Sequence, residues 1–232
     1  MKLKKPIKIV LGALVLLTLP SMLFLGFLYY KNHQELPVGI SGKAADNLAT
    51  KMLIKLNYEA FASTNIIEWT FKNRRHYKWE KNNGTCDVLW KDYKIRLNLR
   101  DHSKSKAYVH GFNIESDMGK ELIDEALEFY TKDVFWLIAP YQVFNEGVKR
   151  AVVTLHDDTE ALLVTYKTNE SYLWHFDESG KPKYFNMWGK RAPIDGVEAT
   201  WLDWTPVKTG ALLPTFHKVL FTGLELTDID AE

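Results

Sequence analysis

Seven histidines, one cysteine and 29 acidic residues are the raw material for chemistry in this 232-residue chain. His175 and Asp177 stand two apart on a strand-like stretch, so their side chains share a face and form a pair of metal-ligand type. A metal site needs further ligands, and the spacing nominates none. His156-Asp157-Asp158 reads as a turn. Glu121, Glu125 and Glu128 share one side of a helix, the ordinary pattern of a solvated face. No Gly-x-Ser-x-Gly elbow presents a serine, and Cys86 has no partnered histidine to activate it. The thirteen glycines are scattered through turns rather than gathered into a phosphate-cradling loop. The expectation is a protein with no catalytic residue, no metal and no cofactor. A hydrolase-type enzyme would require His and acidic side chains converging in one cavity.

Aromatic residues carry more information. Eight tryptophans and eleven tyrosines fall mostly in strand-like segments. Trp69, Phe71, Trp79, Leu97, Trp174 and Trp188 occupy alternating positions. Phe135, Trp136, Leu137 and Tyr141 come from one dense apolar run closed by Pro140. These ten are the candidate ligand-binding residues. Alternation marks a buried face, and it fits a filled core as well as an open cavity.

The elements that must position them follow from periodicity. Ala45, Leu48, Ala49, Met52, Leu53 and Leu56 repeat at i, i+3, i+4, i+7, one apolar face of a helix capped by Ser41 and ending near Asn57. Period two then takes over: Ile67, Trp69 and Phe71; Tyr77 and Trp79; and Tyr93, Ile95, Leu97 and Leu99 against Lys94, Arg96, Asn98 and Arg100. Such strands bury one face and wet the other, as antiparallel sheets commonly do. A helix over Met118–Tyr130 and the apolar run Val134–Ala139 interrupt the sheet. Strand signals resume at 150–155, 161–166, 172–176, 183–188, 197–204, 215–221 and 224–229. Several of these are apolar on both faces: Leu162, Val164 and Tyr166 oppose Ala161 and Leu163. A sheet of that kind requires two covers. The order predicts an α+β domain, a strongly curved antiparallel sheet of about eleven strands wrapped around helices. No period of 20 to 50 residues repeats, which argues against a propeller or solenoid.

The address is written at the N-terminus. Lys2, Lys4, Lys5 and Lys8 precede an uncharged stretch, Ile9–Tyr30, that runs into Lys31. Those 22 residues span roughly 33 Å as a helix, enough to cross a bilayer core. Its length exceeds a signal-peptide core, and no small-x-small site follows closely. The reading is a basic cytoplasmic tail (1–8), a transmembrane anchor (9–30), a linker (31–41) and an extracytoplasmic domain (42–232), because the lysine excess favours an N-in orientation; the alternative is a long cleaved signal. For a bacterial protein this means the inner membrane, with the domain in the periplasm. Without residues 1–36 the formal charge is about −3, which disfavours a nucleic-acid partner. The single cysteine excludes an internal disulfide, so the core alone must hold the fold.

Helix, strands, helical block and a second run of strands resemble the LolA/LolB-like periplasmic lipoprotein carriers. Phe176-Asp177-Glu178-Ser179-Gly180-Lys181-Pro182 is similar to a hairpin of that family. Phe135-Trp136-Leu137-Ile138-Ala139-Pro140-Tyr141, followed by Gly147-Val148, is similar to a stretch of uncharacterised bacterial relatives. The resemblance covers most of residues 42 to 229. It implies a half-barrel whose concave, aromatic-rich cavity holds acyl chains, hence a lipid or lipoprotein ligand. Two family features are missing: a cleaved signal, as in the soluble carrier, and a lipidated cysteine, as in the receptor. The alternative is a protein-interaction module of the same fold with a filled core.

Overall fold

The computed structural model describes residues 5–232 and shows a mixed α+β chain with one N-terminal apolar helix and a large antiparallel sheet. Helix α1 (Lys5–Asn32) comes first and carries Pro20 inside it. It is long and apolar enough over Gly12–Asn32 to cross a membrane, with none of that window buried. After β1 (Ile40–Ser41) come α2 (Lys43–Lys55) and α3 (Tyr58–Ser63). A meander follows: β2 (Ile66–Phe71), β3 (Arg75–Glu80), β4 (Thr85–Trp90), β5 (Tyr93–Asn98), β6 (Lys106–Val109) and β7 (Phe112–Asn113). Helices α4 (Asp117–Asp133) and α5 (Phe135–Ile138) interrupt it. The second run is β8 (Lys149–Thr154), β9 (Glu160–Thr165), β10 (Ser171–Phe176), β11 (Pro182–Trp188), β12 (Val197–Thr200), β13 (Leu202–Pro206), β14 (Leu212–Val219) and β15 (Thr222–Ala231).

All pairings are antiparallel, in the order β1-β8-β9-β10-β11-β12-β14-β15-β2-β3-β4-β5-β6-β7, with β13 on β14 alone. The ends β1 and β7 do not meet, so the sheet is open. The described residues form fifteen strands rather than about eleven. Three strands that the sequence did not mark, β1, β6 and β7, are too short to show a period, and a fourth, β4, buries Cys86, Asp87 and Val88 in succession and so shows no alternation. A fifth arises because the 197–204 run breaks at Trp201, whose N–H donates to Lys183 O, before Asp203 turns at φ 56°. The cap of α2 also differs. Gly42, at φ 122°, holds the cap position, and no side chain bonds there.

One cluster forms the main core. It joins Ala45, Ala49 and Met52 of α2, Leu56 just past its end, Leu122 and Ala126 of α4, and Leu137 of α5 to the inward sheet residues. A smaller cluster on the other sheet face gathers Ala151, Val153, Ala161, Leu163, Leu173 and Trp188. The chain's own linker supplies this second cover. Gln34 O accepts from Trp188 Nε1 on β11 at 2.7 Å, and a Cβ on Gly39 would lie 2.7 Å from that of Ala151 on β8. Five extended residues reach roughly 17 Å, enough to cross the three inter-strand steps between those strands. Neither cluster includes a residue of α1, so the domain's core is complete without that helix.

Candidate functional site

Eight of the ten candidate residues are packed into one another or into the helices. Trp69 stacks on Tyr77, with ring centroids 4.6 Å apart, and Phe71 and Leu97 are buried beside them on the β2–β5 side. Trp174, fully buried, meets Phe185 and Trp201 at 4.8 and 5.0 Å. Leu137 is fully buried, and Trp136 stacks between Phe185 and Trp201. Tyr141 stacks on Phe61 at 3.9 Å and donates its hydroxyl to Leu56 O and Leu212 O, tying α2 to β14. Trp79 is half-buried against Tyr130 of α4. Trp188 sits on the opposite sheet face under the linker, because it is one residue out of phase with Phe185 and Met187.

Phe135, in contrast, lines a cleft. This space, about 360 Å³, lies between the end of α4, the start of α5 and the β9–β10 turn, with Arg191 on its rim. Phe135 packs 4.7 Å from Tyr172, and Tyr172 lies 5.6 Å from Tyr166. Tyr166 donates to Ala139 O at 3.0 Å. The Tyr172 hydroxyl is buried and has no hydrogen-bond partner, in a residue only 1% exposed. A buried hydroxyl without a partner costs roughly 1–3 kcal/mol, a state it shares with the indole N–H groups of Trp69, Trp174 and Trp201 in the core. Burial holds the Tyr166 and Tyr172 hydroxyls well above the usual phenol range, so both stay neutral donors.

Arg191 is clamped in place. Its guanidinium donates to Glu170 Oε2 at 3.2 Å and to the Thr131 and Lys132 carbonyls at 3.1 and 3.2 Å. It also lies 5.0 Å from the Phe135 ring centre. Thr168 Oγ1 donates to the same Glu170 oxygen at 3.1 Å. A second cleft of about 420 Å³, lined by Leu127, Lys132 and Lys190, shares Thr131, Glu170 and Arg191 with the first. Arg191 and Glu170 thus form a polar partition between two grooves at the carboxyl end of α4.

The chemistry-bearing residues of the sequence are otherwise engaged. His175 Nε2 lies 2.9 Å from Asn186 Oδ1. Asp177 Oδ1 accepts from Ser179 N, Ser179 Oγ and Lys181 N, closing the β10–β11 turn. Burial lowers the His175 pKa, against the opposing pull of Asn186. No group of three His, Cys, Asp or Glu gathers among the described residues. A Thr70–His76–Glu68 row does occur, with Thr70 Oγ1 3.0 Å from His76 Nδ1 and His76 Nε2 3.7 Å from Glu68. It occupies registered cross-strand positions on the half-exposed face of β2 and β3, where Lys78 also binds Glu68. That is ordinary wet-face pairing.

The sequence reading missed Tyr166, Glu170, Tyr172 and Arg191 as site residues. Tyr172 had a signal, since it sits at an inward strand position like Trp174. Arg191 had none, because its partners, Glu170, Phe135 and two backbone carbonyls, lie 21 to 60 residues away. No family model matches the chain, and no curated protein matches it.

Proposed function

We propose that this is a membrane-tethered, non-catalytic binding protein. Residues 1–8 face the cytoplasm, Ile9–Tyr30 crosses the bacterial inner membrane and the domain stands in the periplasm. The open sheet is read as a half-barrel of LolA/LolB type curved around α2, α4 and α5. Its ligand is a lipid or lipoprotein acyl chain, received in the cleft at Phe135 and Tyr172 rather than in the packed interior.

The cleft's lining and place carry this reading. It combines an aromatic wall with one buried, unpartnered hydroxyl, and its volume falls in the range of about 300–1,000 Å³ common to ligand sites. Its rim residue Arg191 belongs to the 189–196 segment, and Gln34, two residues past α1, donates its N–H to Asp195 O there. A chain leaving the bilayer beside α1 would meet this end of the domain first. The packing of eight candidate residues supports the second reading, an interaction module with a filled core.

Titrating the domain from residue 33 with a fluorescent fatty acid separates the two. Saturable binding that Val148→Trp abolishes by filling the cleft supports the acyl-chain reading. A folded domain that binds no fatty acid supports the interaction module.

A further inference from the structure

The β14–β15 hairpin ends in Leu220-Phe221, with Leu220 in the left-handed region at φ 52°. Phe221 at that tip is 72% exposed. Its ring stacks on Phe24 of α1, centroid to centroid 6.0 Å. Phe24 lies six residues before Tyr30, roughly 9 Å further along the helix axis. When Ile9–Tyr30 occupies the bilayer, a ring beside Phe24 is below the headgroup level.

Strand register places more of the chain at that end. Lys72, Asn73 and Arg74 form the β2–β3 turn, next to the start of β15, and Lys72 N donates to Glu225 O. Val219 pairs with Ala199, which brings the 189–196 segment and Lys190 to the same edge. Lys91 occupies the β4–β5 turn on that side. These turns carry Lys72, Arg74, Lys91 and Lys190 against Asp92 and Asp195, while Arg191 is already paired with Glu170 at the same edge. Basic turns around an apolar tip match an anionic lipid surface, where headgroup charge attracts lysine and arginine and an aromatic ring enters the acyl boundary.

We infer that the β14–β15 tip is a second membrane contact, with Phe221 inserted beside α1 and the flanking basic turns resting on anionic headgroups. The inference rests on the anchor reading above. The contact would hold the domain upright and keep the Arg191 end against the lipid.

Full-length protein in vesicles tests it, with an environment-sensitive fluorophore on Phe221→Cys, Leu17→Cys or Glu178→Cys; native Cys86 is buried and stays unlabelled. Doxyl-phosphatidylcholine is the quencher, in vesicles with or without phosphatidylglycerol. The expected result is roughly twofold quenching at 17 and 221 and none at 178, with the 221 signal stronger in anionic vesicles. Lys72→Glu/Arg74→Glu/Lys190→Glu should remove that anionic increment. Quenching at 17 without quenching at 221 overturns the hairpin contact and leaves the anchor standing. Absence at both overturns both. Equal quenching at 221 in neutral and anionic vesicles overturns the headgroup assignment.

Discussion

His217 makes acid a specific stress on this fold. The imidazole is fully buried between Trp136 and Trp201, with ring centroids at 5.2 and 4.3 Å. Nε2 lies 2.7 Å from Trp136 O, and Nδ1 lies 3.0 Å from Thr200 O. A neutral imidazole has one N–H, so it serves only one of these carbonyls, whereas an imidazolium would serve both. Burial opposes the charge more strongly than the carbonyls favour it, and the pKa falls to about 4. Above about pH 6.5 the ring is neutral in folded and unfolded chains alike. Between that value and about 4 the unfolded chain binds a proton that the folded one refuses, so stability falls as pH falls. A gap of about 2.5 pH units corresponds to about 3 kcal/mol. The perturbation is His217→Gln, which keeps a donor and removes the titration. Urea unfolding of the domain from residue 33, followed by tryptophan fluorescence, gives the difference between the two proteins at each pH. That difference should shift by about 3 kcal/mol against the native protein between pH 7 and pH 4. A constant difference, or one that moves in favour of the native protein, would show that the carbonyls win and the ring is protonated in the fold.

Three further outcomes follow from the packing. Arg75 grips Asp133 through two hydrogen bonds of 2.6 and 3.2 Å while Tyr77 donates to the same carboxylate, so Arg75→Ala strands a buried carboxylate and should cost about 3–5 kcal/mol in urea unfolding. Arg75→Met/Asp133→Leu should recover much of that loss, and a double variant as unstable as the single one would refute the stranded-charge argument. Gly119→Ala places a methyl 2.1 Å from Ile114 O, so it should destabilise by about 1–3 kcal/mol although alanine favours helices; a gain in stability would contradict the contact. Cys86 is fully buried with its pKa raised by burial, so Ellman's reagent should react only as fast as the domain unfolds, and rapid native labelling would place the thiol elsewhere.

Helices α2 and α4 and strands β2, β3 and β5 were legible because each buries mainly one face. Tyr93, Ile95, Leu97 and Leu99 alternate with charges, and Asp87 and Arg96 pair across the wet side of β4 and β5. The two-faced strands were legible too, from Ala161 and Leu163 opposing Leu162 and Val164. What covers the second face was not. The linker binds through backbone atoms of Gln34 and the bare Cα of Gly39, and neither leaves a pattern in the side chains. Strands β6 and β7 were hidden for a related reason: four and two residues do not complete a recognisable period. The aromatic residues other than Trp188 were identified correctly as inward-facing, but whether they fill the interior or line it depends on how side chains from distant strands meet. Trp174, Phe185 and Trp201 meet and fill it. The cleft forms where α4 ends, from residues whose partners are carbonyls and rings far away in the chain.

Photo-crosslinking tests the central claim most directly. A diazirine fatty acid, irradiated with the domain from residue 33 and followed by peptide mapping, reports where an acyl chain lies. The account predicts label on peptides carrying residues 130–148 and 166–172, lost in Val148→Trp. Label spread over Trp69, Trp79 and Leu97 instead, or a folded domain that takes no label, would contradict it.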